Sequence, residues 1–469
     1  MAITLIQSPL SRGTVAAGAG NVEVLFSRSK LVTTVSSNNI AQPNFKYLFQ
    51  LEENGSQIFE SYVSPNPAGD AMFDFSPIVR NRMQAPIQEA NGDTHSIHQA
   101  KDTAHQVTKC PNNQNIYTLK FGEVYEVDGV LTEFTNLSNI TKLIINGAQD
   151  FKDFYASDGG IVQEMVEYST AYIAPVTSQK GFLTKVDDKT FSSLPNNEYY
   201  RKLALGSNLK CVATPTRVTD LGRLAWIHDD IYIGNESYSL KYTWFNASNV
   251  ALVNTIIDLE LSSTGGQDLD STDATGKVLA APCHWGSMSQ NTSTLIGAYT
   301  NAIAWEHYTI QLLKSDGNPA NYPWVFYKEC SGNKNELYQL AWTNGVGFWD
   351  YYTFTPKAEH EESVEKKQYS TNVGSYSSAN FKIFKYEAST KNYQITPKRS
   401  WTLASGKIDE NLSMYLKDIL KARQVQLIGP DGSILPVIVD TNSTKFFKDR
   451  TNNLYDFQIK VTLAQSLEA

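Results

Sequence analysis

Charge is scarce in this chain. Asp, Glu, Lys and Arg together make up 19% of its 469 residues, and no strong block of one sign stands out. Long amphipathic helices usually carry many Glu, Lys and Arg, so the shortage points to sheets and loops surfaced with Asn, Ser, Thr and Gln. The formal net charge of −8 announces no basic face of the kind that grips nucleic-acid phosphates, which argues against nucleic acid as a partner. No apolar run approaches the length that crosses a bilayer, so membrane insertion is not expected. The opening Met1-Ala-Ile-Thr-Leu-Ile lacks the basic and apolar regions of a secretory signal, and the expectation is a protein made in a cytosol. Cysteine is as sparse. Cys110, Cys211, Cys283 and Cys330 lie far apart and form no Cys-x-x-Cys pair, which fits reduced, mostly buried thiols. In that setting the Asn-x-Ser/Thr tripeptides, at Asn54 and Asn136 for example, read as polar surface and not as glycosylation.

Signatures of catalysis are missing too. There is no Walker sequence and no Gly-x-Ser-x-Gly elbow, and the glycines at 18 and 20 lack the strand-turn-helix setting of a phosphate loop. His95, His98, His105 and Cys110 form the densest set of zinc-type ligands, but without a finger spacing; a polar loop that happens to hold three histidines is the plainer reading. Asp268, Asp270 and Asp273 resemble the start of a calcium loop, which then fails because position six is Asp273 instead of Gly and position twelve is Leu279 instead of Glu. Cys283-His284 and His228-Asp229-Asp230 place catalytic residue types next to each other, whereas strand neighbours point to opposite faces. No two carboxylates single themselves out as a glycosidase pair. The expectation is therefore no catalytic residue, no cofactor-binding residue and no metal ligand.

Aromatic residues are plentiful at 12%, led by 25 Tyr and 21 Phe, and 469 residues exceed what one hydrophobic core accommodates. Asn-Gly and Asp-Gly pairs punctuate alternating apolar runs. Tyr47, Phe49 and Leu51 lead to Asn54-Gly55, and a two-residue turn would set Leu51 opposite Ile58 and Tyr47 opposite Tyr62, with Phe49 facing Glu60 unless a bulge intervenes. Asp128-Gly129 joins 124–127 to 130–134, and Pro430-Asp431-Gly432 joins 425–428 to 434–439. Ser76-Pro77 reads as an N-cap and first helical position, with Ile78, Val79 and Met83 as the buried side. Further strands are expected at 142–145, 231–233, 240–245, 252–261, 308–313, 324–327 and 337–342. The charge-dense stretch 357–367 lacks an apolar stripe and reads as a solvated loop or helical turn. Phe381, Ile383, Phe384 and Tyr386 read as a strand covered on both faces. In 409–422, Leu412, Tyr415, Leu416, Ile419 and Leu420 fall at helical spacing, predicting one amphipathic helix packed on the C-terminal sheet. The fold class expected is mainly β, in two or three sandwich-like modules: 1–135 with a long loop at 91–115, 136–305, and 306–469 with that helix. The run from Trp342 to Phe354 gathers six aromatic rings that would stack on sugars or a neighbouring subunit if exposed, and pack in a core otherwise.

Several short segments carry a resemblance. Ile3-Thr-Leu-Ile-Gln-Ser-Pro9, Gln42-Pro-Asn-Phe-Lys-Tyr47, the stretch from Pro65 to Ser76, Phe121-Gly-Glu-Val-Tyr125, the run from Leu340 to Phe354, and the pattern Trp401-Thr-Leu, Tyr415-Leu, Val425-Gln-Leu resemble virion structural proteins of tailed bacteriophages, closest to those infecting Bacteroidetes-type bacteria. That resemblance implies a β-rich tail, baseplate or neck subunit, made in the host cytoplasm and located in the virion. Its partners would be copies of itself and other virion structural proteins. It supplies no catalytic residues. The alternatives are a receptor- or carbohydrate-binding tail protein with a host-surface glycan as partner, and an envelope glycan hydrolase.

Overall fold

A computed structural model describes residues 3–9, 14–17, 20–87, 96–99, 107–110, 113–133, 138–147, 213–217, 219–227, 239–248, 250–258, 278–290, 305–313, 317, 324–328, 337–344, 347–355, 357–377, 380–383, 385–386, 388–408, 415–441 and 455–465. Within these the protein is mainly β, with several sheets, some stacked like sandwiches, and only short helices. The chain divides into two units: 1–330 with 343–350, and 331–342 with 351–469.

The first unit begins with strands Ile3–Gln7 (β1), Thr14–Ala17 (β2), Gly20–Phe26 (β3), Val32–Ser37 (β4), Lys46–Glu53 (β5), Ser56–Val63 (β6) and Asp70–Asp74 (β7). Helix Ser76–Arg82 (α1) follows, then Thr108–Lys109 (β8), Gln114–Val127 (β9), Val130–Glu133 (β10) and Ser138–Ile145 (β11). Alternation decides the first core. Val35 of β4, Ala71 and Phe73 of β7, and Ile3 of β1 come from the sheet β1-β4-β7. They meet Tyr47, Phe49 and Leu51 of β5 and Tyr117, Leu119 and Phe121 of β9, from the sheet β2-β3-β11-β9-β5-β6.

The β5–β6 hairpin turns at Asn54 and Gly55, with φ of 49° and 83°, as the dipeptide requires. Its register differs from the simple two-residue expectation. A shift after Leu51 pairs it with Phe59, so Tyr47 faces Val63 and Phe49 faces Ser61. The irregularity skips Ile58, and Glu60 lands opposite Gln50, whose amide donates to it at 2.9 Å. The β9–β10 and β25–β26 turns (the latter strands defined below) pair as anticipated, Val130 with Val127 and Ile434 with Ile428. Helix α1 is present, but Phe75 is its cap residue and no side chain caps it. Ser76 lies inside the helix, where its hydroxyl accepts from Leu31 N at 2.7 Å. The expected loop at 91–115 yields β8 and the start of β9; 88–95 and 100–106 lie outside the described residues.

The second core of this unit uses Ala213–Thr216 (β12), Arg223–Ile227 (β13), Ser239–Phe245 (β14), Ala251–Asp258 (β15), Val278–Pro282 (β16), helix Trp285–Gln290 (α2), His307–Leu313 (β17) and Trp324–Lys328 (β18). Sheet β12-β18-β17-β14-β15 and sheet β13-β16-β8 enclose Tyr242, Trp244, Tyr308, Ile310, Phe326, Leu224, Leu279 and Trp285. The strand anticipated at 231–233 lies outside the described residues.

Tyr338–Thr343 (β19), Trp349–Phe354 (β20), Lys357–Ser370 (β21), Ser375–Ser377 (β22), Asn380–Lys382 (β23), Thr390–Ile408 (β24), Val425–Ile428 (β25), Ile434–Val439 (β26) and Tyr455–Leu463 (β27) build the sheet β20-β19-β25-β26-β27-β24-β21 and the small hairpin β22–β23; all of them but Thr343, Trp349 and Asp350 fall in the second unit. Its core joins Leu340, Trp342, Phe354, Trp401, Leu403, Phe457 and Ile459 to Leu416 and Ile419. Those two come from the segment expected to be a 14-residue α-helix. Residues 409–414 are outside the described set, Tyr415 and Leu416 are α-helical as expected, and Lys417–Lys421 continues as a 3-10 helix with Ile419 buried. The apolar face exists, with Leu416 from the α-helical turn and Ile419 from the 3-10 turn that ends the segment before strand β25.

Candidate interaction site

His98 is buried with its ring edge-on to Trp349 at 4.7 Å, and its carbonyl accepts from Ser287 Oγ at 2.7 Å. Cys110 is buried, and desolvation pushes its thiol up to about 12. His95 and His105 lie outside the described residues, as do Asp268, Asp270, Asp273, His228, Asp229, Asp230, Cys211 and Cys330. Among the described residues no group of three or more His, Cys, Asp and Glu side chains converges as a metal site would.

Cys283 and His284 do not form a reactive pair. Burial holds the Cys283 thiol well above its ordinary range and pushes the imidazole of His284 down to about 3. At neutral pH both are uncharged, the opposite of an activated thiolate beside an imidazolium. His284 Nδ1 lies 3.2 Å from Thr216 Oγ1, and Tyr242 and Tyr308 donate to the carbonyls of Pro282 and Cys283 at 2.9 and 2.5 Å. These contacts satisfy buried polar groups at the end of β16. Glu60 and Glu133 both receive the Tyr62 hydroxyl, on the exposed face of the large first sheet. Hydrogen bonds from Gln50, Tyr62 and Gln57 hold the Glu60 carboxyl below its usual range, the wrong direction for a general acid.

The aromatic run 342–354 is buried. Trp342, Phe348, Trp349, Tyr351, Tyr352 and Phe354 all sit in cores, and Trp349 Nε1 donates to Pro86 O at 2.7 Å. Asn344 organises the loop: its side-chain oxygen accepts from Gly347 N and Phe348 N at 2.8 and 3.0 Å, and its amide donates to Asp350 at 2.9 Å. No ring of this run is available to a sugar face.

The exposed rings lie elsewhere, on a feature that sequence reading assigned differently. Strands β21 and β24 pair along their whole length, from Lys357 opposite Ala404 to Ser370 opposite Thr390. Strand β27 accompanies β24 only from Ser400 to Ile408. Residues 361–370 and 390–399 therefore continue beyond the sheet as a two-stranded ribbon, about 30 Å long at the usual strand rise. The stretch 357–367 is strand, not loop or helical turn. It lacks an apolar stripe because, past the sheet, no described residue covers either face of the ribbon. Glu362 lies opposite Arg399, and Glu365 bridges to Lys398 at 2.9 Å. A bulge between Lys367 and Gln368 leaves Tyr393 without an opposite residue, and its ring meets Tyr369 edge-on at 6.2 Å.

At the tip, Thr371 N donates to Ser389 O at 2.8 Å and β22–β23 form a second small hairpin. Its surroundings are apolar and exposed: Phe381 shows 59% of its surface, Ile383 60%, Tyr386 82% and Tyr393 63%. The expectation of a strand covered on both faces here is corrected. The alternation of rings is real, but the covering layers are not supplied by the described chain; Phe384 lies outside the described residues. No sequence pattern distinguished a buried aromatic strand from an exposed one, because both read as rings alternating with polar residues.

No known family model matches this chain, and no curated protein matches it in sequence. No described helix is long and apolar enough to cross a membrane.

Proposed function

We propose that this protein is a structural component of a tailed-phage virion, a tail, baseplate or neck subunit that acts through protein–protein interfaces. The observation that carries the reading is the ribbon of β21 and β24 with its exposed apolar tip. A two-stranded ribbon is marginal in water by itself, and exposed apolar rings at its end favour a covering partner. A sheet that continues as a ribbon with an exposed apolar tip suits a building block that docks on a neighbour. The resemblance of short segments to phage virion proteins supports the same reading.

The receptor- or carbohydrate-binding alternative drew on the aromatic run 342–354, whose burial moves support away from it. Mass spectrometry of purified particles tests the proposal, expecting the chain in stoichiometric amounts. Absence from particles, with the protein present in the infected cell, overturns it.

A further inference from the structure

We infer that the β21–β24 ribbon is an exchange arm, docking on the outer edge of strand β15 in a second copy of this chain. The inference deepens the assembly reading and rests on it.

The first support is backbone geometry. Both outer edges of the ribbon, along 361–370 and 390–399, have no strand partner among the described residues. Pro397 interrupts the row along 390–399, while the row along 361–370 keeps every backbone N–H and can template another strand; its lysines disfavour pairing with a second arm, and a strand template selects a β-structured protein over a polyanion as occupant. The second support is charge. Between Lys366 and Lys391 the sequence holds five lysines against one glutamate, in a chain of net charge −8. The rest of the molecule therefore carries a surplus of twelve negative charges. A basic tip meeting an acidic body attracts head-to-tail, while two tips meeting each other would repel.

The third support is a complementary edge. Strand β15 ends the five-stranded sheet, paired only with β14 among the described residues. Natural edges are blunted by Lys or Pro, and Ala-Leu-Val-Asn-Thr-Ile-Ile-Asp has neither; its one irregularity is a shift between Val253 and Ala251. Leu252 and Ile256 are exposed on it, as is Val250 just before it. Two other sheet ends differ from it: β6 carries Glu60 hydrogen-bonded to Gln50 and Gln57, and β20 is buried along its length. Arm to edge is a heterologous contact between unlike surfaces, so repeating it builds a ring or a stack, as a particle subunit requires.

The test uses the full chain. Tyr386→p-benzoylphenylalanine, in an equal mixture of isotopically light and heavy protein, is irradiated and its cross-linked peptides are identified. The expected result is a mixed light–heavy cross-link into 250–258. Light scattering should show wild-type mass above the monomer. Ile256→Lys, and a variant in which Asn-Gly replaces 371–389, should weaken self-association at least about tenfold with an unchanged circular dichroism spectrum. Cross-links confined to one chain, or equal self-association in both variants, overturn the arm while leaving assembly intact. A monomeric wild type whose tip retains a single-stranded oligonucleotide overturns the choice of partner. Absence of the chain from particles instead overturns the assembly reading itself.

Discussion

Gly347 shows how one residue can be dictated by its surroundings. Its φ is +107°, and an added Cβ would sit 1.2 Å from the carbonyl oxygen of Asn146. Gly347→Ala forces that backbone apart, and we predict a loss above about 2 kcal/mol in a denaturant titration. Gly317, with φ +76° and nothing within 4 Å, is the control: Gly317→Ala should cost only about 1 kcal/mol. His284 and His307 make the second residue-scale case. Burial lowers their values from 6.5 to about 3 and about 4, so between those limits the unfolded chain binds more protons than the folded one. Stability must therefore fall as pH drops through this window. The thermal midpoint should decline from pH 7 to pH 4, and the double variant His284→Gln/His307→Gln should show a shallower decline. Equal slopes would show that these imidazoles are not the cause.

At the scale of elements, the helical segment from Tyr415 to Lys421 is held by two buried side chains. Leu416 and Ile419 are fully buried against the second unit's sheet. Leu416→Ala and Ile419→Ala should each cost about 2–5 kcal/mol by cavity formation, read from denaturant midpoints. By contrast Glu365→Gln, which breaks the exposed pair with Lys398, should change stability by less than about 1 kcal/mol. Hairpin turns were legible in the sequence because Asn54-Gly55 and Asp128-Gly129 adopt positive φ that few other dipeptides tolerate. Register was less so. The β5–β6 irregularity that skips Ile58 answers to the pairing of Leu51 with Phe59 over a buried face, which no local signal announces. The ribbon was hidden for a related reason: a strand uncovered on both faces loses the alternation by which strands are recognised.

For the whole molecule, the exchange arm ties assembly to ionic strength. The Debye length falls from about 10 Å at 0.1 M to about 3 Å at 1 M salt, so an attraction between a basic tip and an acidic body weakens across that range. Light scattering should show the oligomer losing mass as salt rises; an assembly that strengthens with salt would indicate apolar contact without the charge contribution. What the sequence by itself determined was the β class, the positions of most strands and the tight turns, because period-two alternation and Asn/Asp-Gly chemistry are local. The buried fate of Cys110 and Cys283 was legible as well, from their spacing and the absence of partner motifs. Only the tertiary structure decided which aromatics are inside. The ring-rich run 342–354 is core, and the rings at Phe381, Tyr386 and Tyr393 face solvent. Burial depends on what covers a strand, and covering layers come from residues far away in the chain.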